Sequence, residues 1–282
     1  MSDEPTGDLS ITALYTSGVW AWAGLEGAEL YASIDSERVF GVTEFAMGIA
    51  RWFKGGPSLK HSLVQRHFIL DHLTVASEPE CVVELAAGLS RRGAAMRHRV
   101  PYVEVDLPAV IARKEELLGR TEAGRETLAD SRLCRISADV TELDLGELVA
   151  GRTTIVAEGL LMYLDAEAQR GLWSRVASAL DEGAFLFDLV PASEQPEAGW
   201  IGRALGWLMR RFTGGRGFVV DERSRDDVRM ELLAAGFDEV RWLEPADLAP
   251  DGIPHLDEPT QTLVFECLRS PRGVLGCGAS RS

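Results

Sequence analysis

Apolar and polar positions divide the chain into a helical opening, an alternation of short strands and helices, and a closing pair of strands. The clearest unit runs from Cys81 to Pro108. Its first run, Cys81 to Leu85, is apolar except for Glu84 and breaks at once into Ala86, Ala87 and Gly88. That pattern predicts a parallel strand buried on both faces, then a small-residue turn. A second strand, Tyr102 to Val105, ends in Asp106, and Pro108 stands where the first position of a helix accepts proline. Further strands are predicted at Leu133 to Ala138, Thr153 to Ala157, Ala184 to Phe187, Glu239 to Leu243 and Thr262 to Leu268. Helices are predicted at Ser58 to Ala76, from Pro108, after the cap Asp165, and at Arg225 to Ala235 with Gly236 as C-cap. Strands alternating with helices specify an α/β sheet that is mostly parallel, its last two strands forming an antiparallel edge.

Either side of this alternation the pattern loosens. From Ile11 to Phe53 it is helical but irregular and reads as several short helices, giving an N-terminal cap over residues 1–57. The core then spans 58–270. An insertion at 191–217 carries Trp200, Ile201, Leu205 and Trp207 beside Arg203, Arg210 and Arg211, and reads as a helical lid. The charged stretch Leu118 to Asp130 reads as exposed, residues 1–8 as disordered and 271–282 as a mobile tail.

Composition narrows the function classes. Acidic residues outnumber basic ones by 44 to 29 in 282 residues, a formal charge of −15, which argues against a broad nucleic-acid footprint. The opening MSDEPTGDLS is no secretory signal, and no apolar run reaches the roughly twenty residues of a membrane span, so a cytoplasmic protein is expected. Cys81, Cys134, Cys267 and Cys277 lack CxxC spacing and read as reduced core residues. His61, His67 and His72 do not share a helix face, so no metal site is expected.

Candidate chemistry gathers at the strand ends. Five successive strands end at or beside an acid: Glu84, Asp106, Asp139, Glu158 and Asp188. In a parallel sheet those ends share one rim, where like charges repel unless donors or cations sit among them. Upstream, Leu59, Leu63, Leu70 and Leu73 form a helical stripe that closes only through Arg66, which therefore faces inward and needs a carboxylate from protein or ligand. Lys114 reads as a snorkelling surface residue. The turn keeps one glycine of the three that a dinucleotide pyrophosphate uses, which tilts the ligand from NAD toward S-adenosylmethionine, with its sulfonium, ammonium and ribose hydroxyls.

ELAAGLS, YVEVDLPAVIARK, the pair Asp139 and Val140, AEGLLMYL and the upstream LVQRHFILDHL together resemble the leucine carboxyl methyltransferase family, in its bacterial branch of tetracenomycin-type polyketide O-methyltransferases. The resemblance implies a Rossmann-like class I methyltransferase sheet that uses S-adenosylmethionine. It implies that Arg66 binds the methionine carboxylate, that Gly88 lies against the methionine moiety, and that Glu84 and Ala86 also belong to the cofactor site. Asp106 would take the ribose hydroxyls, Asp139 and Val140 the adenine, and Glu158 the ammonium. The sequence departs at Ala86, where the family has glycine, and at Ser90 and Arg91, where many members have aspartate and threonine. The acceptor is expected to be a small apolar or aromatic molecule, methylated on carboxylate or hydroxyl, with Tyr163 near it. No catalytic base is assigned, and self-association is left open. Two rivals remain: an NAD-dependent oxidoreductase, against which stands the lack of a Tyr-x-x-x-Lys pair, and a non-catalytic binding module on the same fold.

Overall fold

A computed structural model describes residues 11–54, 58–189, 222–248 and 263–271. Its strands are β1 (Cys81–Leu85), β2 (Tyr102–Asp106), β3 (Leu133–Ser137), β4 (Arg152–Ala157), β5 (Glu182–Asp188), β6 (Glu239–Leu243) and β7 (Val264–Arg269). They form one seven-stranded sheet in the order β3-β2-β1-β4-β5-β7-β6. β1 to β5 pair in parallel, while β7 runs antiparallel to both β5 and β6. This is the expected α/β sheet with an antiparallel edge, and strand order reverses between β1 and β4.

The helices are α1 (Ile11–Trp22), α2 (Ile34–Lys54), α3 (Leu59–Ala76), α4 (Arg92–Met96), α5 (Pro108–Gly119), α6 (Glu122–Ala129), α7 (Ala166–Ala179) and α8 (Arg225–Ala235). One face of the sheet buries Val83, Leu85, Ile155, Phe185 and Phe187 against Leu172, Trp173 and Val176 of α7 and Val228 and Leu232 of α8. The other buries Val82, Val156, Ala184 and Leu186 against Ile69, Leu70 and Leu73 of α3. Both faces are covered, which is why the parallel strands read as apolar runs. α1 packs on α3 through Tyr15, Val19, Trp20, Leu63 and Val64, so the N-terminal cap rests on the helix that carries Arg66. Asp165 caps α7 by accepting from Ala168 N–H at 2.9 Å, and Gly236 ends α8 at φ 116°, both as expected.

Two expectations are corrected, for residues 11–54 and for Cys134, and one is refined. Residues 11–54 form two α-helices, α1 and α2, joined by one turn of 3-10 helix at Ala28–Leu30, rather than several short helices. They pack on each other, with Tyr15 and Phe40 stacked at 6.0 Å, and this mutual burial blurs the one-sided pattern of each. The charged stretch after Leu118 is mostly exposed, as expected, and in addition contains helix α6, capped where Thr121 accepts from Gly124 N–H at 3.0 Å. A side chain at Gly124 would strike Leu118 O at 2.0 Å, so the glycine that reads as a breaker is what lets α6 fold back on α5. Cys81 and Cys267 are buried as expected, but Cys134 on edge strand β3 is exposed. The proposed insertion at 191–217, the tail beyond 271, the first eight residues and Cys277 lie outside the described residues. Among the described residues no helix is long and apolar enough to cross a membrane.

Candidate functional site

In an open α/β sheet a ligand lies beyond the carboxyl ends of the strands where strand order reverses, here above β1 and β4. The turn after β1 is fastened to β2. Ala87 N–H donates to Val105 O at 3.1 Å. Gly88 N–H donates to Asp106 Oδ2 at 2.6 Å, and Leu107 N–H donates to Asp106 Oδ1 at 2.7 Å. Burial raises the Asp106 carboxyl above its ordinary value, and these two amides hold part of that rise back. The turn needs two left-handed residues, Ala86 at φ 53° and Gly88 at φ 51°. Alanine in that region costs about 1–2 kcal/mol, which glycine would not incur. Beyond β3, Asp139 Oδ1 accepts from Thr141 N–H at 2.8 Å and from Thr141 Oγ1 at 2.6 Å, and the buried Val140 follows it.

Over β4 and β5 the construction is ionic. Arg66 reaches from α3 with Nε 3.0 Å from Glu158 Oε1 and Nη1 2.9 Å from Asp188 Oδ2. Gly159 N–H donates to Asp188 Oδ1 at 2.5 Å. Of the two partners open to the inward-facing arginine, the structure supplies protein carboxylates. Burial pushes the Asp188 carboxyl up, against the pull of Arg66. Burial would raise Glu158 too, but His67, Arg66 and Arg92 together hold it well below the usual carboxylate range.

Glu84 does not stand on the rim. It shares the face of Val82, because side chains alternate along a strand, and turns into the layer beneath α3 and α4. There it is buried, bonded by Arg92 Nη1 and accepting from Tyr102 OH at 2.9 Å. Lys114 is likewise buried rather than snorkelling, with Nζ 2.7 Å from Glu104 Oε1 and 5.1 Å from the centre of the Tyr31 ring. A carboxylate sealed inside the sheet at Glu104 needs a cation, and α5 delivers it.

Arg92 and Asp71, to which the sequence pattern assigns no role, and His67, whose spacing there only excludes a metal site, join the rim to the layer below. Arg92 is fully buried, with Nε 2.6 Å from Asp71 Oδ1 and Nη2 2.7 Å from Glu158 Oε2. Arg91 pairs with Asp71 as well. Two arginines opening a helix whose other members are Gly93, Ala94, Ala95 and Met96 were the available signal, since so apolar a helix has to bury its charges. Tyr163 is half-buried on the turn Leu161–Tyr163, its OH 3.3 Å from Thr12 Oγ1 of α1. Burial pushes its phenol up. Among the described residues no group of three or more His, Cys, Asp or Glu is arranged to hold a metal ion.

Comparison with known proteins adds the family. Residues 36–177 match the leucine carboxyl methyltransferase family. An S-adenosyl-L-methionine-dependent methyltransferase of Parafrankia sp. (strain EAN1pec) is 34% identical over 137 residues, a match covering 44% of this chain and 42% of that relative, so less than half of the curated relative is spanned. The fold resembles that of the S-adenosylmethionine-dependent methyltransferase SibL, with a TM-score of 0.52, 16% identity, and coverage of 83% of this chain and 59% of that one. It also resembles an O-methyltransferase family protein from Burkholderia thailandensis, with a TM-score of 0.52, 13% identity, and coverage of 93% and 72%. Those structures share the Rossmann-like class I methyltransferase sheet seen here. With half its length matched and the expected motifs in place, the chain belongs to the leucine carboxyl methyltransferase family.

Proposed function

We propose that this chain is an S-adenosylmethionine-dependent O-methyltransferase acting on a carboxylate or hydroxyl of a small apolar or aromatic acceptor, such as a polyketide or another secondary metabolite. The observation that carries the reading is the fastening of Gly88 to Asp106 beside the strand-order reversal, in a chain of this family. The residues suit the cofactor. A side chain built on Gly88 would meet nothing nearer than Ala13 Cβ and Ala86 O, both at 4.0 Å, so the space over the turn is open to a ligand. Asp106, Asp139, Glu158 and Asp188 are acceptors for a molecule rich in donors and positive charge, and Arg66 is the cation for its one carboxylate.

When bound, S-adenosylmethionine supplies a methyl carbon activated by its sulfonium. The chain's own part is to bind and orient. Asp106, already fixed by two amides, presents its remaining lone pairs to the ribose hydroxyls, and Asp139 with Val140 borders the adenine. Nε and Nη1 of Arg66 are engaged by Glu158 and Asp188, so among the described residues Nη2 is left to meet the methionine carboxylate. Glu158 and Asp188 face the ammonium. A carboxylate acceptor is already a nucleophile and needs no base, whereas a phenol or alcohol gains from one. Tyr163, its phenol raised by burial and donating to Thr12 Oγ1 of α1, borders the acceptor. The −15 charge and the Parafrankia relative support a soluble bacterial enzyme of the cytoplasm that does not bind nucleic acid.

The test is calorimetric binding of S-adenosylmethionine, S-adenosylhomocysteine and NAD to the native chain, followed by a screen of carboxylate and phenol acceptors. Binding of the first two without NAD is expected. Binding of NAD alone would turn the reading to an oxidoreductase, and binding of none to a module that uses the fold without its chemistry.

A further inference from the structure

His67 sits one residue from Arg66, is fully buried, and has no part in the reading above. Its Nδ1 lies 2.8 Å from Glu158 Oε2, the oxygen that Arg92 Nη2 also reaches at 2.7 Å. Arg92 Nη2, itself a donor, stands 3.1 Å from the same Nδ1. The shorter contact, to the ionised Glu158, sets the tautomer, so Nδ1 carries hydrogen and donates to Oε2. Glu158 is thereby gripped on both oxygens, Oε2 by His67 and Arg92, Oε1 by Arg66 at 3.0 Å. The other ring nitrogen, Nε2, has no hydrogen-bond partner among the described residues, and Asp71 Oδ1 stands 3.9 Å away. The ring is held from outside the network by Trp20 of α1, stacked on it with centroids 4.2 Å apart. Trp20 belongs to the apolar cluster that docks α1 onto α3, so the seating of the cap and the angle of the imidazole are one packing problem.

We propose that His67 is a positioning residue, orienting Glu158 toward the amino-acid end of the cofactor, and that the Trp20 stack makes this orientation depend on the docking of helix α1. The inference rests on the S-adenosylmethionine reading and deepens it. A carboxylate whose rotation is already arrested gives up little further freedom when a ligand ammonium arrives. Without the His67 N–H, Oε2 keeps Arg92 alone, and the ordering has to occur on binding. The nucleoside end, built on Gly88 and Asp106, makes no contact with His67. The effect therefore falls on ligands that possess an amino-acid end.

Two probes separate these ends: S-adenosylhomocysteine, and 5′-methylthioadenosine, which keeps the nucleoside and thioether but lacks the amino acid. Each is titrated by calorimetry into the native chain and into His67→Phe, His67→Gln and Trp20→Leu, with thermal unfolding run on every variant. Phenylalanine keeps the stack and deletes the N–H, while glutamine keeps a donor. His67→Phe is expected to weaken S-adenosylhomocysteine about tenfold, the worth of one charge-assisted hydrogen bond, and to leave methylthioadenosine within about twofold. His67→Gln recovers most of the loss, and Trp20→Leu shows a smaller loss with the same selectivity. Equal weakening of both probes, no weakening of either, or a glutamine variant no better than phenylalanine would overturn the proposal. Should His67→Phe not fold, Trp20→Leu decides by the same contrast: selective loss supports it and equal loss overturns it. A native chain that binds neither probe removes the cofactor reading and this inference together, whereas a native chain that binds both beside indifferent variants removes this inference alone.

Discussion

At the β2 end of the site a single carboxylate, Asp106, is fixed by two backbone amides, and the turn it holds is shaped by two left-handed residues. At the β4 and β5 end, Asp71, Glu84, Glu158 and Asp188 meet Arg66, Arg91 and Arg92 in one network, with His67 inside it. The first end takes its geometry from local backbone, from residues 18 apart at most. The second takes it from side chains as far as 122 residues apart. A site made of backbone stays put when one side chain is lost, whereas a buried ionic network leaves stranded charges when any member goes.

The sharpest way to break the contrast is Arg92→Met. It strips a partner from Asp71, Glu84 and Glu158 at once, and unfolding by denaturant should show a loss of about 3–5 kcal/mol. Asp106→Ala at the other end should do the reverse. It leaves the fold standing but weakens S-adenosylhomocysteine about a hundredfold by calorimetry, roughly two charge-assisted hydrogen bonds. Glu158→Gln probes the ionic end through pH. The Glu158 carboxyl sits below its ordinary value when folded, so the stability it adds is complete above that value and is lost as pH falls toward the folded one. The native chain should therefore exceed the glutamine variant most near neutrality, the gap narrowing as pH drops below about 4.3, measured by denaturant unfolding across the acid range. The smallest effect belongs to Ala86→Gly. Relief of the left-handed alanine outweighs the entropy glycine adds to the unfolded chain, so the variant should be about 0.5–1 kcal/mol more stable, with thermal unfolding as the check.

The same contrast decides what could be read from sequence. The β2 end was legible because its signals are local: an apolar run, a break into small residues, then an acid ending the next strand. Arg66 was legible as inward-facing because a leucine stripe closed through it. The destination of Glu84 was not, since one position of alternation separates the rim from the layer beneath, and the five-acid rim was drawn without that alternation. Arg92, Asp71 and Lys114 were missed or placed on the surface because a charged side chain is buried only when its partner is buried too. Those partners come from elements that sequence does not place side by side. The spacing of His67 in sequence speaks only to metal ligation, and against it, while what gives it a place is a ring on α1 and a carboxylate beyond β4.

The order β5-β7-β6 also bears on how the chain is made. Among the described residues β7 follows every other strand in sequence, yet it is hydrogen-bonded on both sides, with Phe265 set between Phe187 and Trp242. As the polypeptide leaves the ribosome, β1 to β5 can assemble in turn, but β6 emerges with no neighbour to pair with and stays unpaired until Val264–Arg269 has followed it. Closing the sheet thus waits for β7, and a nascent chain halted before it would present its unfinished edge to proteases and chaperones.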